Sequence, residues 1–242
     1  MKKKEARQNG GREAARSYTL ALEGATYEGS VALLADSIVV AERSIPREDG
    51  DISRIRRGER LMPAVAECFE ERSVEPGQIA RIICGAGPGS FTSLRVAASV
   101  AKGLAVGYGV ELYAVSSLLL TVSGALPPLV PGEYLSVLDA MRGDVFAARV
   151  VLESSGVATL TAPATIIGSD QLAEIVERER GVRVIGPGHE RNAGPHARGV
   201  APILAAIIES GPVDLASWEP DYGRLAEAQV RWEAAHGRPL SR

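Results

Sequence analysis

The sequence predicts an α/β protein of two lobes, each a mixed sheet flanked by helices, on three observations. An apolar, β-branched run over Ile79–Cys84 leads through Gly85, Gly87, Pro88 and Gly89 into a helical pattern from Phe91 to about Val106. Short strand-like runs precede it at Tyr18–Leu22, Ser30–Leu34 and Ile38–Ser44, with turn punctuation that suggests an antiparallel meander. A Pro-rich break at Pro127, Pro128 and Pro131 is then followed by a second series of strands and helices. The expected organisation is a basic tail over 1–17, a first lobe over 18–125 and a second over 126–242.

Composition narrows the function classes. The chain has 242 residues, 45% hydrophobic and 24% charged, an ordinary globular mixture. Its formal net charge of −3 argues against holding nucleic acid unaided, because phosphate binding draws on excess Lys and Arg. No apolar run approaches the roughly 20 residues that span a bilayer. The N-terminus has no apolar core of a secretory leader, so a cytoplasmic location is expected. Cys68 and Cys84, the two cysteines, are expected to be free buried thiols.

Taken in order, the chain opens with Lys2, Lys3, Lys4, Arg7, Arg12 and Arg16 around Asn9-Gly10-Gly11, read as a solvated tail, with an RNA-touching arm as the alternative. The loop between the first two strands holds Glu23 and Thr26, either a phosphate-side carboxylate and hydroxyl or groups in solvent. Ile45 to Arg57 reads as a mobile connector, followed by a helix to Arg72 with Leu61, Met62, Val65, Cys68 and Phe69 along one side. After the glycine turn and its helix come a strand over Val110–Val115 and a helix over Ser116–Gly124. Strands over Tyr134–Asp139 and Val145–Leu152 follow, then a helix over Ser169–Arg180 with Leu172, Ile175 and Val176 inward. Val182–Ile185 reads as a strand, Val200–Ser210 as an apolar helix and Leu225–Ala235 as a terminal one.

The glycine turn tempts a phosphate reading, since a helix N-terminus after a Gly-rich loop favours anions. The spacing disfavours it. A P-loop places Lys-Ser or Lys-Thr after its last Gly, and Ser90-Phe91 stands there; the dinucleotide fingerprint has a third Gly where Ser90 is. Ser90 or Thr92 can instead cap the helix. A nucleophile elbow needs Gly where Thr92 lies, so peptidase chemistry is rejected. His189, His196 and His236 show no metal-ligand spacing, and His189 alone falls near a plausible cleft.

Gly87-Pro88-Gly89-Ser90-Phe91-Thr92-Ser93-Leu94-Arg95, after its apolar strand, resembles the TsaB (YeaZ) family. Ser30–Leu34 with Val40-Ala41-Glu42, Glu59–Pro63, Val115–Leu118, Leu138-Asp139-Ala140 with Gly143–Phe146, and Pro220-Asp221-Tyr222-Gly223-Arg224 agree in order along the chain. The resemblance implies two actin-like lobes (the ASKHA, RNase H-like fold) and a part in making threonylcarbamoyladenosine in transfer RNA. It implies a non-catalytic partner that docks on and activates a TsaD-like transferase, with a TsaE-like ATPase, for tRNAs reading codons that start with adenine. A homodimer is the alternative when the chain is alone.

The family's partners pair through two helices, which on this chain makes Leu61, Met62, Val65, Phe69, Ala97, Ala98, Ala101 and Ala105 the expected docking residues, with Val96, Val100 and Leu104 covering the sheet. Gly85, Gly87, Gly89, Ser90 and Thr92 are expected to form a structural turn, or at most a weak phosphate site. TsaD relatives carry two metal-binding histidines on the first helix; Arg57, Arg60 and their neighbours include none, so no metal or cofactor of its own is expected, with ATP and metal on the partners. Two departures stand out. Glu23-Gly24 replaces the family's usual Asp-Thr, and Met141 stands where the family has Arg, with Arg142 after it. The other reading, a small actin-fold ATPase or kinase, would use Glu23, Thr26 and the glycine turn.

Overall fold

The computed structural model describes residues 16–46, 53–179, 181–224 and 236–237. The basic tail up to residue 15, most of the charged connector and the C-terminal helix read over 225–235 lie outside the described residues. The chain folds into five layers. Strands β1 (Tyr18–Glu23), β2 (Gly29–Ala35) and β3 (Ile38–Ile45) form the antiparallel meander. Strands β4 (Ile79–Gly85) and β5 (Glu111–Val115) join it in parallel, giving the order β3-β2-β1-β4-β5. Alternation along β1 sends Leu20 and Leu22 to one face and Ala21 to the other.

Helices α1 (Ser53–Arg72) and α2 (Phe91–Tyr108) cover the Leu20 face, where Leu61, Val65, Cys68 and Ala101 meet Ile82 and Cys84. Against the other face lie α3 (Ser117–Ser123), a 3-10 helix over Ala197–Ile203 and α5 (Leu204–Glu209). The second sheet closes over them from the far side, so one cluster joins Ala21 and Ile83 to Tyr134, Val150 and Ile185. That sheet contains β6 (Gly132–Asp139), β7 (Asp144–Leu152), β8 (Ala158–Leu160), β9 (Thr165–Gly168) and β10 (Arg183–Ile185), ordered β10-β6-β7-β8 with β9 also paired to β7. Helix α4 (Ser169–Arg178) packs Leu172 and Ile175 on its outer face. The α/β class with two mixed sheets flanked by helices is therefore what forms.

Several local expectations change. Helix α1 starts at Ser53, four residues before the expected start. Val176, expected inward, is exposed, because α4 turns only Leu172 and Ile175 to the sheet. The apolar run after Val200 is a 3-10 helix until Ile203, since Pro202 lacks the amide an α-helix would use there. The short strands β8 and β9 were not expected at all.

Both edges of the first sheet are partly covered by the chain itself. On β3, Arg72 donates to the Val40 carbonyl and Arg43 to the Glu42 carbonyl (2.8 Å). On β5, the Val213 amide donates to the Leu112 carbonyl at 2.8 Å. At the foot of the same sheet, Arg16 donates to the carbonyls of Tyr108 and Gly109, the C-terminal end of α2 where a cation is favoured.

Candidate functional site

The glycine turn connects β4 to α2 and is filled by the chain around it. Gly85 lies against Glu23: a Cβ there would come 1.9 Å from Oε2. A Cβ on Gly87 (φ +89°) would fall 2.2 Å from the Asp221 carbonyl, and one on Gly89 2.2 Å from the Ala25 carbonyl. The turn is pinned by backbone bonds from Ala86 to Val115, Ser90 to Ala25, Ser117 to Gly87 and Asp221 to Ala86, between 2.7 and 2.8 Å. Ser90 occupies the cap position of α2 without a side-chain cap bond, its hydroxyl instead meeting that of Ser93 at 3.1 Å. Thr92 is exposed. Oxygen acceptors thus stand against all three glycines, where incoming phosphate oxygens would be repelled.

Glu23 is the hub of this arrangement. Against the expectation of a loop carboxylate in solvent, it is fully buried. The Ala25 amide donates to Oε1 at 2.5 Å, and the Ser117 hydroxyl reaches both carboxyl oxygens at 3.1 and 2.9 Å. The Ser117 oxygen in turn accepts the Gly87 amide at 3.1 Å, so the carboxyl is linked to the turn through one hydroxyl. Burial pushes its pKa up to about 7, against the hydrogen bonds from Ala25, Ser117 and Gly24 that lower it. Thr26 bonds the Glu28 carbonyl at 2.8 Å and does not join the cluster.

The two helices outside the turn carry the expected docking residues, and the structure turns most of them inward. Leu61, Val65 and Phe69 on α1 and Ala97, Ala98, Ala101 and Ala105 on α2 are buried; of the eight, only Met62 is exposed. The reason is close approach: Ala97, Ala101 and Ala105 let α2 lie tightly against β4 and α1, whereas Val96 and Val100, expected against the sheet, sit half-buried on the flanks. The outward face consists of Met62, Pro63 and Ala66 on α1 with Ser99, Gly103, Val106 and Gly107 on α2. Val106 is 70% exposed, and a Cβ on Gly103 or Gly107 would meet nothing within 4 Å. A glycine inside a helix costs about 1 kcal/mol relative to alanine, and among the described residues no packing contact requires either one. That pair, four residues apart, was the sequence signal for the outer face, and it was missed.

A groove of about 670 Å³ lies at the opposite end of the lobe junction, between β3, the Gly124–Leu129 stretch and the 3-10 helix. His196, not His189, stands beside it. Arg198 clamps Glu42 with bonds of 2.7 and 2.9 Å, and His196 faces Ser44 at 3.0 Å. Burial and then the Arg198 charge hold the His196 pKa down at about 4, so the ring is neutral near pH 7. Its Nδ1 accepts the Arg198 amide at 3.1 Å, and its Nε2 is shared at 3.0 Å between the Ser44 hydroxyl and the Arg198 guanidinium. Cys68 and Cys84 are both buried and free, with burial pushing the Cys68 pKa up to about 11. Among the described residues no cluster of three or more His, Cys, Asp or Glu could hold a metal, and no helix is long and apolar enough to cross a membrane.

Known proteins match this arrangement. A family model described as TsaD, tRNA N6-adenosine threonylcarbamoyltransferase, matches residues 53–176, slightly over half the chain. A Bacillus subtilis (strain 168) protein named tRNA threonylcarbamoyladenosine biosynthesis protein TsaB is 26% identical over 232 residues, 88% of this chain and 96% of that protein. The Escherichia coli (strain K12) protein of the same name is 31% identical over 139 residues, 57% of each chain. A solved structure of YeaZ from Pseudomonas aeruginosa superposes with a TM-score of 0.69 at 24% identity, covering 84% of this chain and 98% of that one. The two mixed sheets and their flanking helices fit the actin-like fold.

Proposed function

This chain belongs to the TsaB (YeaZ) family, related to TsaD, and has a role in tRNA threonylcarbamoyladenosine biosynthesis; from that premise we propose that it acts there as a non-catalytic partner. It docks on a TsaD-like transferase through the outer face of α1 and α2 and so activates it, with a TsaE-like ATPase completing the assembly. The tRNA substrates, those reading codons that start with adenine, are held by the complex in the cytoplasm, and ATP and metal belong to the partners. The observation that carries the reading is the pair Gly103 and Gly107, open to solvent on the last two turns of an 18-residue helix. Residues that weaken the free chain without serving its packing are accounted for by a second helix that must come close.

Gly103 separates stability from docking. Gly103→Ala should raise the stability of the free chain by about 1 kcal/mol through helix propensity. Gly103→Arg should leave the free chain's melting temperature nearly unchanged and abolish both the heterodimer and the stimulation of threonylcarbamoyl transfer to tRNA when it is mixed with a matching TsaD and TsaE. Wild-type affinity in Gly103→Arg, measured by titration calorimetry, would overturn the docking face.

The ATPase or kinase reading is weakened by the oxygens already set against Gly85, Gly87 and Gly89 and by the burial of Glu23. Accordingly, magnesium and ATP at millimolar concentration should not shift the melting temperature of the isolated chain. A saturable upward shift would restore that reading.

A further inference from the structure

Residues 211–224 contain no helix or strand, yet they run across the mouth between the two lobes and are fastened at each end of that crossing. Val213, Leu215 and Trp218 lie against the core of the first lobe, and Lys102 of α2 sits 5.7 Å from the Trp218 ring. The Asp221 amide then donates to the Ala86 carbonyl at 2.7 Å, which places the Asp221 backbone over Gly87. Tyr222 meets Phe91, the first residue of α2, with ring centroids 4.5 Å apart. Within two further residues the segment reaches the second lobe. Gly223 (φ +66°) lies against the Phe146 ring so closely that a Cβ would be 2.2 Å from it, and Arg224 pairs with Asp144.

Asp144 closes the turn after β6, in which Met141, Arg142 and Gly143 all have positive φ and the Ala140 amide bonds the Asp144 carbonyl at 3.0 Å. The fastening therefore joins the start of α2 on one lobe to this turn on the other. The Arg224–Asp144 pair is only part-buried, with the side chains 30% and 36% exposed, so water can solvate both charges when the segment lifts. At the other end of the junction the lobes are held by two bonds from Arg198 to Glu42 and by a buried bond from the Ala197 amide to the Ser30 hydroxyl (2.9 Å).

We propose that residues 211–224 form a releasable clasp over the lobe mouth, fastened by Tyr222 on the first lobe and Arg224 on the second. When it lifts, the glycine turn and first turn of α2 loosen together with the 140–144 turn, while the Glu42–Arg198 end stays shut and serves as the hinge. The proposal concerns opening of the chain itself and stands whether or not α1 and α2 dock a partner.

Hydrogen–deuterium exchange of the full chain tests it, with Tyr222→Ala and Arg224→Gln compared to wild type. Arg224 pairs with the second lobe, whereas Tyr222 stacks on Phe91 and also packs against the apolar cluster that includes Leu138, Ala140 and Phe146 of the second lobe, so the diagnostic effect is that of Arg224→Gln on the first lobe. Arg224→Gln should speed exchange at least about tenfold over residues 86–95 as well as over 140–146, and Tyr222→Ala should loosen both segments together; an opening favoured by about 1.4 kcal/mol has this effect. Peptides from β1 and β2 should be unchanged. Tyr222→Phe keeps the ring and should exchange like wild type. Loosening in Arg224→Gln confined to 140–146, or none, overturns the clasp, and this arm decides alone if Tyr222→Ala also lowers global stability.

Discussion

Arginine in place of Ala101 is expected to unfold the free chain, not merely to free it from a partner. Ala101 is fully buried between the sheet and α1, so a guanidinium there would be taken from water with no anion to meet it and no room for its stem. A loss of more than about 4 kcal/mol follows from those two costs together, lowering the melting temperature by roughly 8–16 °C or abolishing the transition. Circular dichroism melts of Ala101→Arg beside Gly103→Arg make the comparison, because the two sites are two residues apart on one helix and differ in which way they face. A free chain that tolerates Ala101→Arg would put the alanine stripe on the surface and return it to the docking face.

Replacing Glu23 by glutamine should change how stability depends on pH. The folded-state pKa of about 7 lies above the ordinary 4.5, so between those values the folded chain keeps a proton that the unfolded chain has released. The stabilisation is thus fully present below pH 4.5 and is lost as pH rises towards 7 and just beyond, at about 1.4 kcal/mol per unit, on the order of 3 kcal/mol in all. Glutamine keeps the shape and the acceptor for Ala25 and Ser117 without the charge. In urea melts the two proteins should be near equal at pH 4.5, with Glu23→Gln the more stable by on the order of 3 kcal/mol at pH 8. Parallel stability curves across that range would mean that the carboxyl ionises as freely as one in water.

The strand, turn and helix around the glycines were legible because three independent signals agree there: a β-branched run, a cluster of glycines and a helical period. The meander was legible for the same reason. Strands β8 and β9 were not, having three and four residues with too little alternation to register. The orientation of α2 was misread because alanine and valine are each compatible with a sheet-facing or an outward position, and only the depth available under the helix decides between them. Gly103 and Gly107 could have broken that tie, since glycine in a helix interior asks for a reason. Glu23 looked like a loop residue because nothing in the local sequence reveals that Ser117, 94 positions later, returns to cover it.

The partly covered edges of the first sheet also limit what kind of assembly the chain can build. A bare edge strand is an invitation to ribbon growth, in which each added copy offers the same edge to the next. Here the carbonyls of Val40 and Glu42 are already taken by Arg72 and Arg43, and β5 is met by Val213. Contacts through an outward helical face, by contrast, are used up once one neighbour has bound. Ribbon growth through β3 or β5 would first have to displace these bonds, and two arginines far from any chemistry contribute to that barrier.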